Sequence, residues 1–301
     1  MSAEANTSSV SNDKLRRLEE ALADLDSVVL AYSGGLDSTF LLKVCRDTLH
    51  DRVLAVTAVS ETYPPQEADQ AEGLASSIGA KHRSIRTSEM EDSRFIANSP
   101  DRCYFCKQSL FSDLKHIAAE EGYRHVIDGT NQDDLRDYRP GMQAAAEAGI
   151  RHPLLEAGLT RAEIAASSRE MGLPTADKPA QACLASRIPY GTPITAEVLA
   201  AVNEAEIFLR QMVSGQLRVR HHGRTARIEV GPEEMIVLVQ EPNRSNVVRR
   251  LGELGYIYVT LDLAGYRMGS LNVEDPSVRA GGSLSKSTSG GPGRQALHHE
   301  T

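Results

Sequence analysis

Between Lys14 and Pro174 the chain alternates two periodicities. The runs Val28–Tyr32, Val53–Val59, Lys81–Arg86 and His125–Asp128 predict strands. The stretches Thr39–Leu49, Gln66–Ile78 and a segment within Phe105–Glu121 predict helices between them. Such alternation predicts an α/β fold, a doubly wound parallel sheet that binds its ligands at the carboxyl ends of the strands. A further helix opens at Thr160, where Thr160 and Glu163 form a capping box, and Gly172 and Pro174 close it. From about Ile194 the pattern changes. A helix over Ala196–Met212, paired strands near Leu217–His221 and Ala226–Val230, helical segments after Pro232 and Asn243 and a strand at Tyr256–Leu261 predict a smaller α+β domain.

With 301 residues, 41% of them hydrophobic, the chain can fill one large core and one small one. Composition places the large domain at 13–193 and the small one at 194–273. The Ser/Ala/Asn-rich residues 1–12 and the Gly/Ser-rich residues 274–301 read as disordered tails. A net charge of −8 argues against broad nucleic-acid binding. No apolar stretch approaches the roughly 20 residues of a membrane helix, and Met1–Asp13 lacks a basic-then-apolar signal pattern. The expectation is a cytoplasmic protein without membrane contact. Four cysteines make no disulfide framework, so a close pair reads first as metal-binding or catalytic.

The run Tyr32-Ser33-Gly34-Gly35-Leu36-Asp37-Ser38 joins the first strand to the first helix. Adjacent glycines let backbone amides converge, Ser33 and Ser38 add hydroxyls, and the helix N-terminus adds its dipole, so the loop reads as a phosphate site. Asp37 would repel phosphate unless a divalent cation lay between them, which implies Mg²⁺ with a nucleotide. The P-loop lysine of G-x-x-x-x-G-K-[ST] is absent, so transfer of a γ-phosphate is not indicated. Asp128-Gly129-Thr130-Asn131-Gln132-Asp133-Asp134 follows the last predicted strand and emerges at the same sheet edge. Ordinary turn chemistry competes there, but Asp133, Asp134 and Asp137, with Arg139 behind them, suit Mg²⁺ and phosphate together.

Cys103 and Cys106 form a C-x-x-C between Arg102 and Lys107, and Cys183 lies in a proline-bounded loop near Lys178 and Arg187. Neighbouring cations predict lowered thiol pKa values at all three. Zinc lacks a second ligand pair. Cys45 falls on the apolar stripe of the first helix, four residues from Leu41, and reads as core.

The glycine loop resembles that of the N-type ATP pyrophosphatases, the PP-loop superfamily. The segment Ala182-Cys183-Leu184-Ala185-Ser186-Arg187-Ile188-Pro189-Tyr190-Gly191 resembles the LarE family of ATP-dependent sulfur transferases within it. Leu217–Gly223, Ala226–Glu229 and Leu261–Asn272 resemble family motifs too, so the likeness spans about Lys14 to Asn272.

The resemblance implies adenylation of the carboxylates of a pyridinium biscarboxylic acid mononucleotide, a small-molecule nucleotide substrate, and their conversion to thiocarboxylates with release of AMP and pyrophosphate. It implies ATP binding by Ser33, Gly34, Gly35, Asp37, Ser38, Thr57, Gly129 and Thr130, with Asp37 and Asp133 for Mg²⁺. It makes Cys183 catalytic, either giving its own sulfur or holding a [4Fe–4S] cluster with Cys103 and Cys106, one iron being left open for added sulfide. Arg187, Arg218 and Arg220 are candidates for the substrate's phosphate or carboxylate; Arg218 and Arg220 alternate on one strand and face one side, and a solvated strand face is the plain alternative. The family also implies a homo-oligomer, a hexamer in some members. A tRNA thiolase would share the loop and cysteines but need a basic surface. An ammonia-dependent synthetase of the NAD or GMP kind would have no use for the three cysteines.

Overall fold

The computed structural model describes residues 2–136, 140–179 and 182–267. In chain order the elements are α1 (Ser2–Leu25), β1 (Val28–Ala31), α2 (Leu36–Leu49), β2 (Val53–Val59), α3 (Pro65–Ile78), β3 (Lys81–Arg86), α4 (Ser93–Ile96), α5 (Arg102–Glu121), β4 (His125–Asp128), α6 (Pro140–Ala148), α7 (Pro153–Glu156) and α8 (Arg161–Glu170). The C-terminal part adds α9 (Ala196–Leu209), β5 (Leu217–His222), β6 (Thr225–Val230), α10 (Met235–Val239), α11 (Asn243–Glu253) and β7 (Tyr258–Leu261).

The first four strands form a parallel sheet in the order β3-β2-β1-β4. Alternation along the central strands assigns the two faces. Val28 and Leu30 of β1, with Val53 and Ala55 of β2, join a core closed by α1, α2, α3 and α8. Val29, Leu54 and Val56 point the other way, into a core with Phe111 and Leu114 of α5 and Ala145 of α6. The chain steps from β1 to β2 on one side and places β4 on the other. The loops after β1 and β4 therefore share the crevice where the strand order reverses. The outer strand β3 carries Lys81, Arg83 and Arg86, charges that discourage further edge pairing.

The predicted strands and helices match these elements within a few residues. Helix α5 begins at Arg102, so the C-x-x-C lies in its first turns. Helix α1 runs back to Ser2, through residues that composition assigns to a tail. Leu18, Leu22 and Leu25 anchor its second half in the core, and an anchored helix extends at little cost once nucleated. The expected tail 274–301 and the Met268–Asn272 part of the last motif lie outside the described residues.

In the smaller unit β5 and β6 form an antiparallel hairpin and β7 pairs parallel to β6. Leu217, Val219, Ile228 and Val230 pack with Leu209, Val247 and Leu251 in a core of their own. A fourth cluster joins Leu184, Ala185 and Ile188 of the cysteine loop to Phe95 of α4 and to Ile194, Leu199 and Val202. The cysteine loop is thus packed onto α9, across the boundary drawn at residue 193.

Candidate nucleotide and thiol site

Gly34 adopts φ +66°, and a Cβ there would lie 2.9 Å from the Ala71 side chain of α3, so glycine is needed for conformation and space alike. Ser33 and Ser38 bond through their hydroxyls at 3.0 Å, and Tyr63 Oη donates to the Ser33 carbonyl at 2.9 Å. These bonds hold the loop open at the N-terminus of α2, where unpaired amides face the crevice. Gly129 completes the contact from β4: a Cβ there would come within 3.1 Å of the Ser38 nitrogen. The two loops read from the sequence do converge.

Asp37 has both oxygens engaged: Asn131 Nδ2 donates to one at 3.1 Å and Arg161 Nη1 to the other at 2.9 Å. Burial raises its pKa; Arg161 and Asn131 pull it down but do not cancel the shift. Asp133 accepts the backbone N–H of Arg161 at 2.8 Å, and Asp134 that of Asn131 at 2.9 Å. These acids brace the loop and the start of α8 in this structure, and Asp137 and Arg139 lie outside the described residues. Thr57 is buried, its hydroxyl donating to the Tyr32 carbonyl at 2.9 Å and meeting His82 Nε2 at 2.9 Å. Its single proton is spent within the fold, so its side chain offers no donor to a nucleotide.

The cysteines correct an expectation. Cys103 is exposed, whereas Cys106 and Cys183 are half-buried beside Phe95 and Leu184. Burial pushes the Cys106 thiol up to about 12; Cys183, Glu89 and Cys103 push the same way and Lys107 opposes them. Burial also raises Cys183, with Cys103 adding to it; the Ala185 amide, Arg102 and the neighbouring Thr62 hydroxyl act against it. Desolvation overrides the neighbouring cations, of which Lys178 is paired with Glu67 at 2.7 Å and Arg187 with Glu206 at 2.9 Å. The three thiols are near enough to feel one another's charge. Among the described residues no three Cys, His, Asp or Glu side chains gather as a ready metal site. Cys45 is fully buried with a raised pKa, as its core reading requires.

Arg187, Arg218 and Arg220 are all buried, so the solvated-face alternative fails. Arg187 forks onto Glu206 and donates to the carbonyls of Ala182 and Cys183 at 2.6 and 3.1 Å. Arg220 forks onto Glu229 and reaches the Ser186 carbonyl at 3.0 Å. Arg218 lies 5.2 Å from the Tyr266 ring, its pKa lowered to about 10 by burial first and by Arg187 and Arg220 besides. Arg187 and Arg220 therefore clamp the cysteine loop from below, a structural use that the strand pattern did not reveal.

Other residues escaped the sequence reading. Arg161 and Asn131 hold Asp37 across 124 and 94 residues of chain. Thr62 and Ser60 donate to the buried Glu89 beneath Cys183, Thr62 at 2.9 Å. Of these only Asn131, inside the β4 loop motif, carried a local signal.

Comparison with known proteins agrees with this geometry. Residues 12–102 match the NAD synthase family. The chain is 46% identical over 259 residues to an uncharacterized Synechocystis protein, covering 86% of this chain and 97% of that one. It is 28% identical over 167 residues to argininosuccinate synthase of Pyrococcus furiosus, covering 50% of this chain and 40% of that one. It is 40% identical over 260 residues to pyridinium-3,5-bisthiocarboxylic acid mononucleotide synthase of Lactiplantibacillus plantarum, covering 86% of this chain and 94% of that synthase. Identity that runs through nearly all of that synthase places the chain in the LarE family of the PP-loop superfamily.

Proposed function

We propose that this protein is an ATP-dependent sulfur transferase that converts the carboxylates of pyridinium-3,5-biscarboxylic acid mononucleotide to thiocarboxylates, as the name of its Lactiplantibacillus relative describes for that enzyme's product. One observation carries the reading: the loop bearing Cys183 is fastened to the phosphate loop. Lys178 Nζ reaches the Gly34 carbonyl at 3.3 Å and Glu67 at 2.7 Å, and the Leu184 amide donates to the Thr62 carbonyl at 3.0 Å. An acyl group activated at the first loop is then beside a thiol.

The amides of Gly34 and Gly35, the hydroxyls of Ser33 and Ser38 and the α2 N-terminus hold the phosphates. A substrate carboxylate oxygen attacks the α-phosphorus, the bond to the β-phosphate oxygen breaks, and pyrophosphate leaves. Sulfur then attacks the acyl carbon and AMP leaves. Asp37 is the loop carboxylate suited to Mg²⁺, which offsets phosphate charge, and the Arg161 guanidinium provides positive charge at that carboxylate here. Cys103, Cys106 and Cys183 would be the ligands of a [4Fe–4S] cluster with an open position, binding it as thiolates and drawing together from the arrangement seen here, and the cluster would supply exchangeable sulfide. A homo-oligomer is supported by the exposed apolar residues Ile236, Ile257, Tyr258 and Leu263 of the smaller unit. The net charge of −8 supports a small-molecule substrate over RNA, and no helix among the described residues is long and apolar enough to cross a membrane.

The test combines product analysis with the cysteines. Wild-type protein given ATP and the mononucleotide should form AMP and pyrophosphate; ADP and orthophosphate would overturn adenylation. After anaerobic reconstitution, Cys103→Ala, Cys106→Ala and Cys183→Ala should each lose iron and sulfur transfer, and Cys45→Ala should lose neither. An iron-free protein whose mass falls by H₂S at Cys183 during turnover would make Cys183 itself the sulfur source.

A further inference from the structure

The chain that follows Cys183 is moored once more, at the corner between α4 and α5. Asn98 turns that corner with φ +53°, in the left-handed region that asparagine tolerates, and it is wholly buried. Both hydrogens of its Nδ2 are spent on the carbonyls of Pro189 and Thr192, at 2.8 Å each, and Oδ1 accepts Arg102 Nη1 at 2.7 Å. The amide cannot be turned over, since carbonyls lie on one side and a guanidinium that only donates lies on the other. The Asn98 carbonyl accepts the Gly191 amide at 3.0 Å, and the Ile194 amide donates to the Ile96 carbonyl at 2.9 Å. Arg102, nearly as buried, lays its guanidinium 4.5 Å from the centre of the Tyr190 ring.

These contacts join two segments that carry cysteines. Arg102 is the first residue of α5, Cys103 follows it, and Cys106 stands one turn on. Residues 188–194 continue the Cys183 loop beyond the short turn Leu184–Arg187. Phe95 of α4 packs with Leu184 and Ile188, and Cys106 and Cys183 both lie against that cluster. The ties to Thr62 and Arg220 fasten the loop to the end of β2 and to the smaller unit, whereas the tie at Asn98 fastens it to the helix of the other two thiols. Parting them would strand buried amide and carbonyl groups, so the corner and the loop stay together.

We propose that Asn98, backed by Arg102, is the positioning residue that sets the approach of Cys103 and Cys106 to Cys183, so that three thiols from two segments serve one centre. It touches neither substrate nor sulfur. With the corner and the loop clasped, the thiols are left only with the motions of their own side chains and short segments. The inference rests on the function proposed above and adds to it what keeps its cysteines in company.

Cd²⁺ tests it, because a soft cation that absorbs in the ultraviolet when thiolates bind it reports their gathering without iron or turnover. Added to the iron-free protein, it should bind the wild type about tenfold or more tighter than Cys183→Ala, which keeps only the C-x-x-C pair. Asn98→Gly permits the same backbone turn but has no amide. It should bind Cd²⁺ as weakly as Cys183→Ala, and combining the two changes should weaken binding no further. Arg102→Gln should lie between the wild type and Asn98→Gly. Inorganic pyrophosphate, followed by calorimetry, should bind Asn98→Gly and Arg102→Gln as it binds the wild type, which shows the phosphate loop intact. Wild-type affinity for Cd²⁺ in Asn98→Gly would overturn the clasp. Loss of pyrophosphate together with Cd²⁺ would overturn it too, making Asn98 a prop of the whole domain. A wild type that binds Cd²⁺ no better than Cys183→Ala would overturn instead the three-thiol centre on which the clasp rests.

Discussion

At the Ser33–Ser38 loop the donors are backbone amides and two hydroxyls, and the loop's sole ionised side chain is Asp37. Under the Cys183 loop the groups are three buried arginines interleaved with Glu206 and Glu229. The first region turns the N-terminal amides of α2 toward a crevice, where an anion can take them up. In the second, guanidinium and carboxylate satisfy each other and the spare N–H groups of Arg187 and Arg220 hold the carbonyls of residues 182, 183 and 186. The same kind of charge therefore recognises in one place and fastens in the other. Removing a charged group should cost activity in the first region and the fold in the second.

The largest expected effect is at Glu229, fully buried between Arg220 and Arg227. Glu229→Ala takes the carboxylate from the buried Arg220 guanidinium and should lower unfolding free energy by about 3–5 kcal/mol in urea titration. Asp37→Asn should lose less than about 1 kcal/mol yet reduce AMP formation by about 100-fold or more. Equal stability losses would erase the contrast.

Gly129→Ala sharpens it from the other side. The new methyl must push against the Ser38 backbone, and misfit of this kind costs about 1–3 kcal/mol. That strain falls where the two loops meet, so ATP should bind roughly tenfold more weakly, and the melting temperature should fall by about 2–8 °C. A variant that binds ATP normally would show that the loops need not touch.

The smallest effect is a pH slope at the Asp128–His152 pair, beside the first region. The Asp128 pKa is held below its ordinary 3.8 despite burial, chiefly by His152, so its contribution to stability is full above 3.8 and fades as pH falls through the depressed value. The raised His152 contributes fully below 6.5 and loses its share as pH rises through its folded-state value. Asp128→Asn should flatten both slopes in urea midpoints measured from pH 2 to 9. An alkaline slope that survives would mean that another group charges His152.

The phosphate loop was legible because its chemistry lies in local order: strand, two glycines, hydroxyls, helix. The capping box at Thr160 was legible for the same reason, and the structure shows both of its reciprocal bonds. What sequence could not give was desolvation. Basic neighbours around Cys106 and Cys183 predicted easy thiolates, but burial is a tertiary quantity and reversed the direction. Partners from distant segments were equally hidden, since Arg161 reaches Asp37 and Glu206 reaches Arg187 only after the chain folds. Thr57 shows a subtler limit: the family resemblance offers it to ATP, but its engagement by Tyr32 and His82 is visible only in the fold.

The two ties across the crevice, from Lys178 to Gly34 and from Leu184 to Thr62, bear on what happens between the half-reactions. An acyl-adenylate is a mixed anhydride that water destroys, and an enzyme that carried it from one station to another would have to outrun hydrolysis. Here the chain that brings the thiol is stitched to the chain that grips the phosphates, so the anhydride has no journey to make. Its lifetime in solution then ceases to matter, and the yield of each turnover is governed by how tightly the seam stays closed.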